Sequence, residues 1–148
     1  GPGSISIAIT LGANEPRHVG PNLIALLAAA VGSDRVMSMA GQLSLLQSAA
    51  ILERCAVLLS NNSAPMHLAG AVGTPVVAVF GATAPHFGFG PRGPRDRVVE
   101  TTGLPCRPCA IHGGERCPIG TFECMVAIDA ERVLSELRPI VNAAGGRS

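Results

Sequence analysis

The sequence predicts an α/β fold in which a parallel sheet carries helices on both faces. Three observations predict it. Within Cys55–Gly81 two apolar runs, Ala56–Ser60 and Val76–Phe80, are short, rich in β-branched residues and bounded by turn residues, as strands buried on both faces are. Between them Pro65–Val72 has the composition of a short helix, with Pro65 suited to its first turn and Gly73 to its C-terminal stop. Along the rest of the chain strand-like and helix-like segments alternate, which argues a parallel sheet joined by right-handed crossovers.

Taken in order, Gly1-Pro2-Gly3-Ser4 reads as the remnant of a cleaved expression tag, and residues 5–148 as one domain. Ile5–Leu11 alternates Ile and Ala with small polar residues and stops at Gly12, which suits a strand; Asn14-Glu15-Pro16 lies in the loop at its carboxyl end. Pro21–Val31 has apolar residues at 23, 24, 27 and 31, a helical stripe ended by Gly32. Arg35–Ala40 is the next strand. Ser44 and Gln47 form a capping-box pattern that starts a helix running to about Arg54. Ala82–Arg97, with its prolines and glycines, reads as an extended loop, and Arg97–Thr101 as a last strand. Thr102–Phe122 is a second loop, carrying four cysteines within 102–125. Asp129 caps an amphipathic helix whose apolar positions are 133, 134, 137, 140 and 141; Pro139, lacking the N–H of an interior turn, should kink or end it near Arg138.

Composition excludes several functions. Eleven basic residues face ten acidic ones, with no basic cluster to form a nucleic-acid footprint. The longest apolar helical stretch, Leu23–Val31, is about half the ~20 residues a membrane span needs. With neither Trp nor Tyr present, large aromatics are not how the chain would hold a base.

The chemistry gathers at two places. A strand–loop–helix–strand unit points Asn61-Asn62-Ser63-Ala64 and the following helix's free N–H groups at the carboxyl edge of the sheet, where the positive end of the helix dipole favours an anion such as phosphate. His67 lies one turn into that helix, so its ring can reach back toward the loop. The second place is the pattern C-x2-C-x7-C-x6-C formed by Cys106, Cys109, Cys117 and Cys124. Four thiols in one loop can surround a tetrahedral structural zinc; two disulfides and four reduced thiols are the competing readings. His112 is a substitute ligand nearby, and Cys55 stands apart at a helix end.

The stretch from Asn61 through Gly81 resembles the N-D-[ST]-G-x-x-H-[LI]-A-A-A-x-G-x-P-x-[VI]-x-[LI]-[FY]-G pattern of glycosyltransferase family nine, the heptosyltransferases of lipopolysaccharide inner core. Asn62 stands where that family usually has Asp, and Ala64 where it usually has Gly. Gly41-Gln42-Leu43-Ser44-Leu45 is similar to the family's G-x-[ML]-[ST]-L. The resemblance implies a Rossmann-like domain, the C-terminal, donor-binding half of a GT-B fold. It implies that Asn62, Ser63, Ala64 and His67 hold the diphosphate of a nucleotide sugar resembling ADP-heptose, with Glu15 on the ribose and Leu43 against the adenine. It requires no metal there. It also implies a cytoplasmic enzyme, peripheral to the inner membrane when whole, whose acceptor domain and catalytic base lie outside this sequence, so that the chain alone does not transfer sugar. Two other readings stand beside it: a non-catalytic nucleotide or anion-binding module, and a zinc-stabilised interaction domain.

Family members begin this domain with one more strand and helix, and nothing here matches that unit. In a doubly wound sheet the missing strand is central. Its loss would leave Ile5–Leu11 and Ala56–Ser60 with bare inner edges, which either pair with each other or recruit a second copy; the expected outcome is a homodimer.

Overall fold

The computed structural model describes residues 7–10, 39, 41–114 and 116–146. In chain order these form β1 (Ile7–Thr10), α1 (Leu45–Glu53), β2 (Val57–Asn61), α2 (Ala64–Ala71), β3 (Val76–Phe80), a 3-10 turn (Pro85–Phe87), β4 (Arg97–Glu100), the short helix α3 (Glu123–Val126) and α4 (Ala130–Gly145). The helix expected at Pro21–Val31, the strand expected at Arg35–Ala40 apart from Met39, and Glu15 lie outside the described residues.

The strands form one parallel sheet in the order β1-β2-β3-β4. β1 pairs directly with β2, Ile7 opposite Val57 and Thr10 opposite Ser60. The two edges expected to recruit a second copy thus satisfy each other's backbone groups within one chain, which removes the ground on which a homodimer was expected. β2 then pairs with β3, Leu58 opposite Val76, and β3 with β4, Val77 opposite Arg97.

Side chains alternate across a strand, so each face of the sheet draws on alternate residues. Leu58, Val76, Ala78 and Phe80 join Leu52 of α1 and Met66 and Ala69 of α2 in one buried cluster. Val57, Val77 and Val99 face the other way and bury Leu137 and Ile140 of α4. A sheet covered on both faces is what the unbroken apolar runs of β2 and β3 require.

The helix starts follow their side chains. Ser44 Oγ accepts from Gln47 N at 3.3 Å while Gln47 Oε1 accepts from Ser44 N at 2.8 Å, so the capping box is complete. Asp129 Oδ1 accepts from Arg132 N at 2.8 Å at the start of α4. Gly73 follows α2 with φ +79°, a conformation that favours glycine. Beyond it, Thr74 Oγ1 donates to Leu52 O at 2.7 Å, and the Asp96 carboxylate accepts from Val76 N at 2.9 Å, fixing where β3 begins.

The helix does not end near Arg138: α4 runs through Pro139 to Gly145. An interior proline costs about 3 kcal/mol. Burying Leu137 and Ile140, which flank it, contributes about 2 kcal/mol each, so packing on the sheet outweighs the lost hydrogen bond. Arg132 Nη2, donating to Glu100 O at 2.5 Å, ties the helix to the end of β4.

Candidate functional site

β2 and β3 run parallel, so the loops that leave their carboxyl ends, 61–64 and 81–84, emerge side by side. Asn62 N–H donates to Val79 O at 3.2 Å and stitches the first loop to the neighbouring strand. Ser63 is the N-cap of α2, yet its side chain makes no capping bond. Instead its hydroxyl turns toward the strand, 2.9 Å from Asn61 Oδ1 and 3.2 Å from Ser60 Oγ. A helix start without its side-chain cap keeps the positive end of its dipole available to an outside anion. Pro65 in the first turn has no N–H to satisfy.

Asn62 and Ser63 are half-buried, while Ala64 and His67 are exposed on the first turns of α2. These four, expected together from the sequence, do share one end of the sheet. Leu43 is half-buried just ahead of the α1 cap. The apolar residue that would staple it at the fourth helical position is absent, because Ser48 stands there. α1 packs beside α2, so Leu43 and the 61–64 loop belong to adjacent helix starts.

The second loop closes over the end of β3. Three successive carbonyls accept from one distant segment: Gly81 O from Arg107 Nε at 2.6 Å, Ala82 O from Cys109 N at 2.8 Å and Thr83 O from Arg107 Nη2 at 2.8 Å. Arg107 also donates to Thr101 O at 3.0 Å and to the Glu100 carboxylate at 2.5 Å. Nothing in the sequence pattern marks Arg107, because three of its four acceptors are backbone carbonyls brought together only by the fold.

All five cysteines are free. Among the described residues no three His, Cys, Asp or Glu side chains stand together as a ready metal site, although Cys106, Cys109 and Cys117 all lie near enough to Cys124 to act on its charge. The thiols make local contacts. Cys109 Sγ lies 3.4 Å from Cys106 O, Phe122 N–H reaches Cys117 Sγ at 3.5 Å, and Cys124 is buried. The Phe122 amide, helped by those of residues 119–121, holds the Cys117 thiol below its ordinary range. Burial, followed by the neighbouring thiols 109, 117 and 106, pushes the Cys124 thiol up, and burial alone raises Cys55.

The family model for glycosyltransferase family 9 (heptosyltransferase) matches residues 7–115, which include the 61–64 loop, α1, α2 and Arg107. The chain belongs to glycosyltransferase family 9. Over 109 residues this family 9 chain is 28% identical to lipopolysaccharide heptosyltransferase 2 of Salmonella typhimurium, a match covering 73% of the chain and 30% of that protein. Its fold is similar to the glycosyl transferase family 9 structure from Veillonella parvula, with TM-score 0.62, 21% identity, and coverage of 94% of this chain and 46% of the other. It is also similar to E. coli ADP-heptose lps heptosyltransferase II, with TM-score 0.64, 22% identity, and coverage of 96% and 38%. The family 9 chain thus spans less than half the length of each of these relatives. Among the described residues no helix is long and apolar enough to cross a membrane.

Proposed function

We propose that this chain is the nucleotide-sugar-binding portion of a heptosyltransferase-like glycosyltransferase, and that its donor resembles ADP-heptose. The observation that carries the reading is the uncapped start of α2 beside the 61–64 loop: Ser63 holds Asn61 and Ser60 and leaves the helix terminus open to a diphosphate. Asn62, Ser63, Ala64 and His67 would hold the diphosphate, Leu43 the base and Glu15 the ribose. In glycosyl transfer the nucleoside diphosphate departs with growing negative charge, and oriented amides at a helix start stabilise such charge without a metal. The identity with lipopolysaccharide heptosyltransferase 2 and the fold shared with E. coli ADP-heptose lps heptosyltransferase II support that donor class. Acceptor and catalytic base would come from sequence beyond this chain, so the chain alone binds donor without turning it over, in a cytoplasmic enzyme.

Calorimetric titration with ADP, UDP and GDP tests this. The expected result is sub-millimolar binding of ADP, about −4 kcal/mol or better, lost in a folded Ser63→Leu variant whose side chain fills the space beside the helix start. Equal affinity in that variant, or no nucleotide bound by the wild type, would overturn the reading.

A further inference from the structure

The segment that follows β3 owes its path to a residue more than twenty positions away. Arg107 is only 8% exposed at its side chain, and a buried guanidinium must find acceptors for its N–H groups. It finds four, and two of them, Gly81 O and Thr83 O, bracket the residue whose own carbonyl is taken by Cys109 N. Gly81 is held from a second side, since a Cβ there would lie 2.5 Å from Sδ of Met125 in α3. Two residues before Gly81, Val79 O accepts from Asn62 N, so a displacement of the 81–83 path reaches the 61–64 loop through one hydrogen bond. Glu100, 2.5 Å from Nη2, offsets the guanidinium charge, so Arg107 acts there through geometry rather than as a cation attracting an anion.

We infer that Arg107 is a positioning residue for the nucleotide site, holding the Gly81 and Thr83 carbonyls and thereby setting the edge against which the Asn62–Ala64 loop is placed. This rests on the donor-binding reading proposed above. The planar fork suits the task because its rigid donors satisfy several carbonyls at once, whereas a lysine ammonium presents a point charge on a flexible stem.

The test compares wild type, Arg107→Ala and Arg107→Lys by ADP calorimetry, each variant first checked for its fold by circular dichroism. Both substitutions are expected to weaken ADP binding about tenfold or more, with the same ratio to wild type at low and high salt, because position rather than charge is lost. Millimolar guanidinium should restore part of the affinity to Arg107→Ala, which a residue serving stability alone would not show. If Arg107→Ala does not hold its fold, the lysine variant and its salt series decide in its place. Wild type that binds ADP together with folded variants that bind it equally well would overturn this inference alone. Wild type that binds no nucleotide would overturn it along with the donor reading.

Discussion

Replacing Leu58 by Ala tests whether both helices of one face rest on β2. Leu58 is fully buried in the cluster that holds Leu52 of α1 and Met66 and Ala69 of α2, and its strand is paired on both sides. Because the backbone is fixed by two neighbouring strands, the site has little freedom to collapse around a cavity, and the loss belongs in the upper part of the usual range, about 4 kcal/mol. Against a total stability of about 5–15 kcal/mol, that should lower the Tm by roughly 8–16 °C. Leu46 on α1 is the control: it is 81% exposed, and its replacement by Ala should change stability by no more than about 0.5 kcal/mol. Urea unfolding followed by circular dichroism measures both, with unchanged m-values showing that the unfolding transition is the same. A loss below about 1.5 kcal/mol for Leu58→Ala, or an equal loss for Leu46→Ala, would refute the packing described for this face.

Two further outcomes follow from local chemistry. Ser44→Ala removes the acceptor for Gln47 N in the capping box of α1 and should cost about 1 kcal/mol, read by the same denaturation curves; no change would mean that the box is dispensable. The amides around Cys117 favour its thiolate while burial disfavours those of Cys124 and Cys55. Since the thiolate is the nucleophile, iodoacetamide at mildly alkaline pH should label Cys117 ahead of Cys124 and Cys55 in peptide mass mapping, with its rate reaching a plateau at lower pH than theirs; labelling of Cys124 ahead of Cys117 would contradict that ordering.

Much of the central unit was legible in the residues. β3 falls on Val76–Phe80 as expected, because an apolar β-branched run between Pro75 and Gly81 has few other options. The capping box of α1 and the stop at Gly73 follow equally local rules. What escaped was decided at long range. The choice between pairing β1 with β2 directly and recruiting a second copy depends on which edges meet, and composition does not decide it. α4 continues through Pro139 because the sheet buries residues on either side of it. The role of Arg107 depends on carbonyls, which every residue carries alike. The short helix α3 begins at Phe122 with φ +52°, in the left-handed region where a phenylalanine is not anticipated. At the site, the loop and His67 were legible because their spacing is a motif, whereas the sideways turn of the Ser63 hydroxyl was not.

The most direct measurement is an ADP titration of the isotopically labelled chain followed by backbone amide NMR. Saturable shifts concentrated at Asn62, Ser63, Ala64 and His67, extending to Ala82–Ala84, are the expected result. Shifts centred on the cysteine loop or on α4, or none at millimolar ADP, would contradict an anion site at the start of α2.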